Sequence, residues 1–126
     1  MSERADVEWI GDIQEAIQRI SIYVGDLSYE AFSKDIKTQD AVIRNIEVIG
    51  EAAKGVSEKL RVESADIPWT SMAGMRDRLI HRYFGVNLDI VWEVVSLELP
   101  LLAAQVERVM ENCGDGLHEN GDFTKA

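Results

Sequence analysis

The sequence predicts an all-α, up-and-down bundle of four main helices in one domain. Three observations carry that expectation. Apolar residues recur at helical spacings of three and four over long stretches. No alternating apolar–polar run of any length marks a half-buried strand. Only two prolines, Pro68 and Pro100, interrupt the 126 residues. Hydrophobic residues at 46% and charged residues at 29% are the balance of a globular chain long enough to bury a core. There is no internal repeat and no low-complexity tract.

The first helix is expected over 7–24, where Ile10, Ile13, Ile17, Ile20 and Val24 fall at spacings of 3, 4, 3 and 4. Residues 26–35 follow Gly25 and hold Ser28 and Ser33, a connector with room for one short turn. The second helix is expected over about 38–62. Val42, Ile46, Ile49, Ala53, Val56 and Leu60 form one stripe, and Thr38 with Asp40 and Ala41 suits its start. Gly50 lies inside it, at a cost of roughly 1 kcal/mol relative to alanine, which points to a close helix contact.

After a link over 61–68, Pro68 enters a third helix expected over about 69–84, with Gly85 as its stop. The fourth, about 88–112, carries Ile90, Val94, Leu97, Leu101 and Ala104 on one stripe. Val91, Val95, Leu99 and Leu102 add a second apolar face, so the helix is central or meets another subunit. Pro100 should kink it. Residues 1–112 thus read as the domain, and 113–126, with Gly114, Gly116 and Gly121, as a flexible tail.

A net charge of −10 argues against a general nucleic-acid coat, which needs broad positive surface. It leaves room for a local RNA site and for a basic partner protein. No apolar run approaches the roughly 20 residues of a membrane span, and no apolar segment follows the charged residues 1–6 as in a secretory leader. The lone Cys113 cannot form an internal disulfide. The expected location is cytoplasmic.

The chain lacks C-x-x-C, H-E-x-x-H, G-x-S-x-G and a Gly-rich phosphate loop. Glu47, Glu51 and Glu93 lack the Glu-x-x-His pairs of a di-metal bundle. No metal and no cofactor are expected. Trp9, Trp69 and Trp92 read as core, and His118 in the tail as without a role.

What remains is one basic island. Arg76-Asp77-Arg78-Leu79-Ile80-His81-Arg82-Tyr83 reads R-x-x-x-x-H-x-Y. From Thr70 to Asn87 the charge is +2, so the rest of the chain sums to −12. Histidine titrates near neutrality, and arginine offers a planar fork of donors to phosphate oxygens. On a helix, Asp77 and His81 share a face, where the carboxylate would orient the imidazole. Arg76 and His81 fall roughly 140° apart on that wheel. Either Arg76 reaches round, or two copies of the patch meet across a two-fold dimer. Taken alone the pattern is weak. The same residues fit a helix surface, with Tyr83 a core aromatic and Arg78 and Arg82 a solvated face.

Ile49-Gly50-Glu51-Ala52-Ala53, then Ile67-Pro68-Trp69, then Gly74-Met75-Arg76-Asp77-Arg78-Leu79-Ile80-His81-Arg82-Tyr83-Phe84-Gly85-Val86, then Val91-Trp92 and Leu99-Pro100-Leu101-Leu102 occur in that order. The order and spacing resemble the HepT-like branch of the HEPN superfamily over residues 7–110. The resemblance implies a HEPN-like homodimer that acts as a metal-independent endoribonuclease, the toxin of a toxin–antitoxin pair. It assigns Arg76 and His81 as the catalytic pair at the dimer cleft. It makes a minimal nucleotidyltransferase (MNT-type) the antitoxin, which silences the toxin by AMPylation of Tyr83. In the family the residue after the arginine is polar and very often asparagine. Here it is Asp77, which repels a scissile phosphate but can support His81. Arg78 and Arg82 are further candidates for RNA contact. RNA supplies its own nucleophile, the 2′-hydroxyl, so 2′,3′-cyclic phosphate and 5′-hydroxyl ends are expected. The alternative is a non-catalytic dimeric helical module that docks onto the nucleotidyltransferase. A third reading is a plain helical adaptor whose motif is structural.

Overall fold

The computed structural model describes residues 4–81 and 85–125, with the backbone alone described at His81 and from Gly114 onward. Its elements are α1 (Asp6–Val24), α2 (Tyr29–Ser33), α3 (Ile36–Gly55), α4 (Glu58–Glu63), α5 (Trp69–Ala73), α6 (Met75–Leu79), β1 (Ile80–His81), β2 (Gly85–Val86), α7 (Leu88–Glu93), a π-helical turn (Val94–Glu98) and α8 (Leu99–Lys125). The fold is all-α, as the periodicity requires.

Packing of α1 on α3 makes the centre. Ile10, Ile13, Ile17, Ile20 and Val24 are all buried, and so are Val42, Ile46, Ile49, Ala53 and Val56. Both stripes read from spacing therefore face the core. The ends are held by local chemistry. Gly25 closes α1 at φ +51°, a left-handed conformation natural to glycine, and its N–H donates to Ser21 O. Asp35 starts α3, its carboxylate accepting from Thr38 N at 3.0 Å and from Thr38 Oγ1 at 2.7 Å. The cap thus sits three residues earlier than the expected start at Thr38.

The second helix is shorter than its stripe suggests. α3 stops at Gly55, and Ser57 caps a separate α4 by accepting from Leu60 N. Asp6 at the start of α1 fixes this break, accepting from Ser57 N at 2.8 Å and from Ser57 Oγ at 2.6 Å. Gly55 is needed there because a Cβ would lie 2.3 Å from the Trp9 ring. Arg61 Nη2 donates to the carbonyls of Ala53 and Lys54, satisfying the end of α3. The apolar rhythm runs through the break because Val56 is still buried and Leu60 half-buried.

The connector after α1 contributes more than a turn. Phe32 on α2 is fully buried and packs 5.2 Å, centroid to centroid, from the Trp92 ring of α7. Tyr29 meets the same ring edge-on at 5.7 Å and donates to the Asp89 carboxylate.

The third helix departs most from expectation. Gly74 divides α5 from α6, and helix ends at Leu79, not at residue 84. Ile80 is extended (φ −101°, ψ 119°), and β1 pairs antiparallel with β2, Ile80 opposite Val86 and His81 opposite Gly85. Gly85 at φ +83° takes a conformation that L side chains rarely adopt, so it serves the hairpin and not a helix stop. Asn87 N donates to Leu79 O at 2.7 Å, and the Asn87 side chain then caps α7. The i, i+4 relation read for Asp77 and His81 does not hold, because His81 lies beyond the helix end.

The fourth helix is altered by its proline in an unexpected way. Pro100 has no N–H to continue the α ladder. Upstream of it the chain widens into a π turn, with Leu99 N donating five residues back to Val94 O. The buried stripe becomes Val91, Val94, Leu99, Leu102, Val106, Val109, and its one step of five is the π turn itself. Leu97 and Leu101, expected on the stripe, are left out of phase and are 68% and 66% exposed. α8 continues as helix to Lys125 across the segment read as a tail. Among the described residues no helix is long and apolar enough to cross a membrane.

Candidate active site

The close contact expected at Gly50 exists. A Cβ there would lie 3.2 Å from Met72 O and 3.5 Å from Ala73 O, so glycine lets the backbone of α5 press directly on α3. This brings the next helix, α6, to the edge of α3. A groove of about 330 Å³ opens between them, walled by Gly50 and Ala73 and rimmed by Arg44, Glu47, Glu51, Lys54, Arg76 and Asp77. Two segments that are 26 residues apart in the sequence, Gly50-Glu51 and Arg76-Asp77, thus share one polar site.

Arg76 is fastened in it. Its Nε donates to Glu47 Oε2 at 2.7 Å, with Arg76 57% and Glu47 29% exposed. Lys54 sits 3.7 Å from Glu51 on the same side. The rim carries three cationic and three acidic side chains, so its formal charge is balanced.

Arg78 points to a different task. Its Nη1 and Nη2 donate to Glu98 Oε1 and Oε2 at 3.0 and 2.8 Å, a bidentate pair that ties α6 to the π turn. Its fork is therefore occupied by protein, which sets it apart from Arg76 as a candidate for RNA. The Arg78 guanidinium holds the Glu98 carboxyl below the ordinary carboxylate range, outweighing the opposing effect of burial. A carboxyl with a depressed folded pKa stabilises above its unfolded value, near 4.5, and loses that contribution as pH falls through the folded value. Glu98→Gln is expected to lower the melting temperature by a few degrees at neutral pH, consistent with under about 1 kcal/mol for a half-exposed pair. The two melting curves should converge as pH falls below 4.5 and through the folded value, as calorimetry across the acid range would record.

His81 sits on β1, two residues beyond α6, and its side chain is outside the described residues. Arg82 and Tyr83, expected as an RNA contact and as the modified tyrosine, also lie outside them. Burial pushes the Cys113 thiol up, with Asp6 and Glu63 adding to the shift, which suits an inert thiol. Among the described residues no cluster of three or more His, Cys, Asp or Glu is placed to hold a metal ion.

In the sequence Glu47 reads only as a member of a missing metal pair. Its role as Arg76's partner had one local signal: Glu47 lies three residues before Gly50, on the α3 face that glycine opens. Arg44 and Lys54, also on the rim, carry no local mark in the sequence.

The chain is thus a small all-α helical protein, with an arginine held at a polar groove and a histidine on the short strand that follows. The chain belongs to the ribonuclease HepT-like family, whose model matches residues 13–109. It is 40% identical over 107 residues to a protein of Thermococcus cleftensis named "Probable ribonuclease HepT", covering 85% of this chain and 97% of the relative. It is also 40% identical over 109 residues to a protein of Methanocaldococcus jannaschii whose name gives it as a candidate RNase, covering 86% and 89%. A similarly named protein of Caldanaerobacter subterraneus is 43% identical over 88 residues, 70% of this chain and 79% of its own. No solved structure gives a significant match.

Proposed function

We propose that the chain is a metal-independent endoribonuclease, the toxin of a toxin–antitoxin pair in the cytoplasm. The observation that carries this is the place of Arg76: on the rim of a polar groove, braced by Glu47, five residues ahead of His81 at the start of a hairpin. Membership of a ribonuclease family supports the choice of RNA as substrate.

The chemistry needs few parts. His81 as general base takes the 2′-hydroxyl proton, and O2′ attacks phosphorus. The P–O5′ bond breaks, and the leaving oxygen takes a proton from an acid in the cleft. Arg76 stabilises the charge that grows on the non-bridging oxygens. A 2′,3′-cyclic phosphate and a 5′-hydroxyl result. In a homodimer a second copy of the Arg76–His81 segment would supply the acid. The ridge of Leu97 and Leu101, exposed beside the Arg78–Glu98 tie, supports such a dimer, since apolar residues of this size seek cover. The antitoxin in this reading is a nucleotidyltransferase that transfers AMP from ATP to the Tyr83 hydroxyl, releasing pyrophosphate.

One observation favours a second reading, a docking module without activity. The groove rim is charge-balanced, and Asp77 is on it, so it attracts a polyanion less than a basic cleft would. Growth on induced expression separates the two. The toxin reading expects arrest by wild type, none by His81→Ala, and arrest by Tyr83→Phe that the co-expressed nucleotidyltransferase no longer relieves. A passive module is harmless in every form.

A further inference from the structure

We propose that Glu47 is a positioning residue for Arg76: it fixes the guanidinium by its Nε edge and so leaves the Nη1–Nη2 end as the fork offered to the phosphoryl group. The inference rests on the RNase reading and adds a residue to the same site.

Arginine can meet a phosphate through either of two edges, Nε with one Nη, or the two Nη together. Glu47 Oε2 sits 2.7 Å from Nε and takes the first edge. A long side chain on the five-residue α6, followed at once by extended Ile80, has little else to hold its direction. Glu47 supplies that direction from a firm mount. It lies one turn before Gly50 on the 20-residue α3, where the α5 backbone would approach an added Cβ within 3.2 Å. The brace and the contact that orients α6 are therefore one structural unit.

The brace has a counter-effect. A carboxylate beside the arginine weakens its attraction for an incoming phosphate while it improves the geometry. Orientation should then appear in kcat and charge in KM, which a structural role would not separate. Glu47→Gln keeps an acceptor for Nε–H without the charge. Glu47→Ala removes both.

The test is steady-state cleavage of a short RNA by wild type, Glu47→Gln, Glu47→Ala and Arg76→Ala, with melting temperatures measured alongside. The expected result is a kcat about tenfold or more lower in Glu47→Ala, in line with the cost of a misplaced catalytic group. Glu47→Gln should keep kcat within about twofold and bind RNA with a KM several-fold lower, as removal of a like charge implies. Melting temperatures should agree within a few degrees, since Arg76 is more than half exposed and Glu47 is only partly buried. Equal kcat in Glu47→Ala and wild type, with Arg76→Ala inactive, overturns the positioning role and leaves the RNase reading standing. A faster Glu47→Ala makes Glu47 a competitor for Arg76 and overturns it too. Equal losses in both Glu47 variants, with a clear drop in melting temperature, assign a structural role instead. A wild type that cleaves nothing overturns the RNase reading and Glu47's part together.

Discussion

His81→Ala is expected to lower RNA cleavage by about 10²–10⁴-fold, the usual loss when a general acid or base is removed. Arg76→Ala should lose about 10²–10³-fold, as when one donor to a developing oxyanion is deleted. Neither change should unfold the protein. Arg76 is more than half exposed, and its bond to Glu47 is of the kind worth under about 1 kcal/mol. β1 is a two-residue strand outside the α1–α3 core. Single-turnover cleavage rates beside melting temperatures decide this. Loss of activity at unchanged stability places both residues in the chemistry, whereas parallel loss of activity and stability makes the motif structural.

Phe32→Ala should produce the largest change in stability, about 3–5 kcal/mol, or roughly 10–20 °C in melting temperature for a chain of this size. Phe32 is fully buried on a helix of five residues. Its removal leaves a cavity beside the Trp92 ring, and α2 has no second buried apolar residue to compensate. The consequence reaches the site. α2 grips α7 through Phe32–Trp92 and Tyr29–Asp89, and α7 follows directly on the hairpin that carries His81. A thermal melt and the cleavage rate below the melting transition should both fall. A melting temperature within a few degrees of wild type would mean that α2 is dispensable.

The long packed helices were legible because burial imposes a period. Every residue of the Ile10–Val24 stripe and of the Val42–Val56 stripe faces the core. The breaks were not, because each depends on a partner distant in sequence. Ser57 ends one helix and starts another under the carboxylate of Asp6, 51 residues away. Leu79-Ile80-His81 carries no local stop signal, and the helix ends there because Val86 and Asn87 return to pair with it. Gly85 was recognisable as a special position, but a positive φ serves a hairpin as well as a helix end. Pro100 announced a disturbance, and the chain answered with a π turn, which shifted Leu97 and Leu101 outward. For the site, the motif located Arg76, and Gly50 announced a close approach. The partner Glu47 stayed hidden because a single glutamate on a helix carries no mark of the arginine it will meet.

The central claim, metal-independent RNA cleavage centred on His81, is tested most directly by incubating total RNA with the purified chain in EDTA, beside His81→Ala. The account predicts cutting by wild type alone, with 2′,3′-cyclic phosphate ends. No cutting by a wild type whose intact mass carries no AMP, or equal cutting by both proteins, would contradict it.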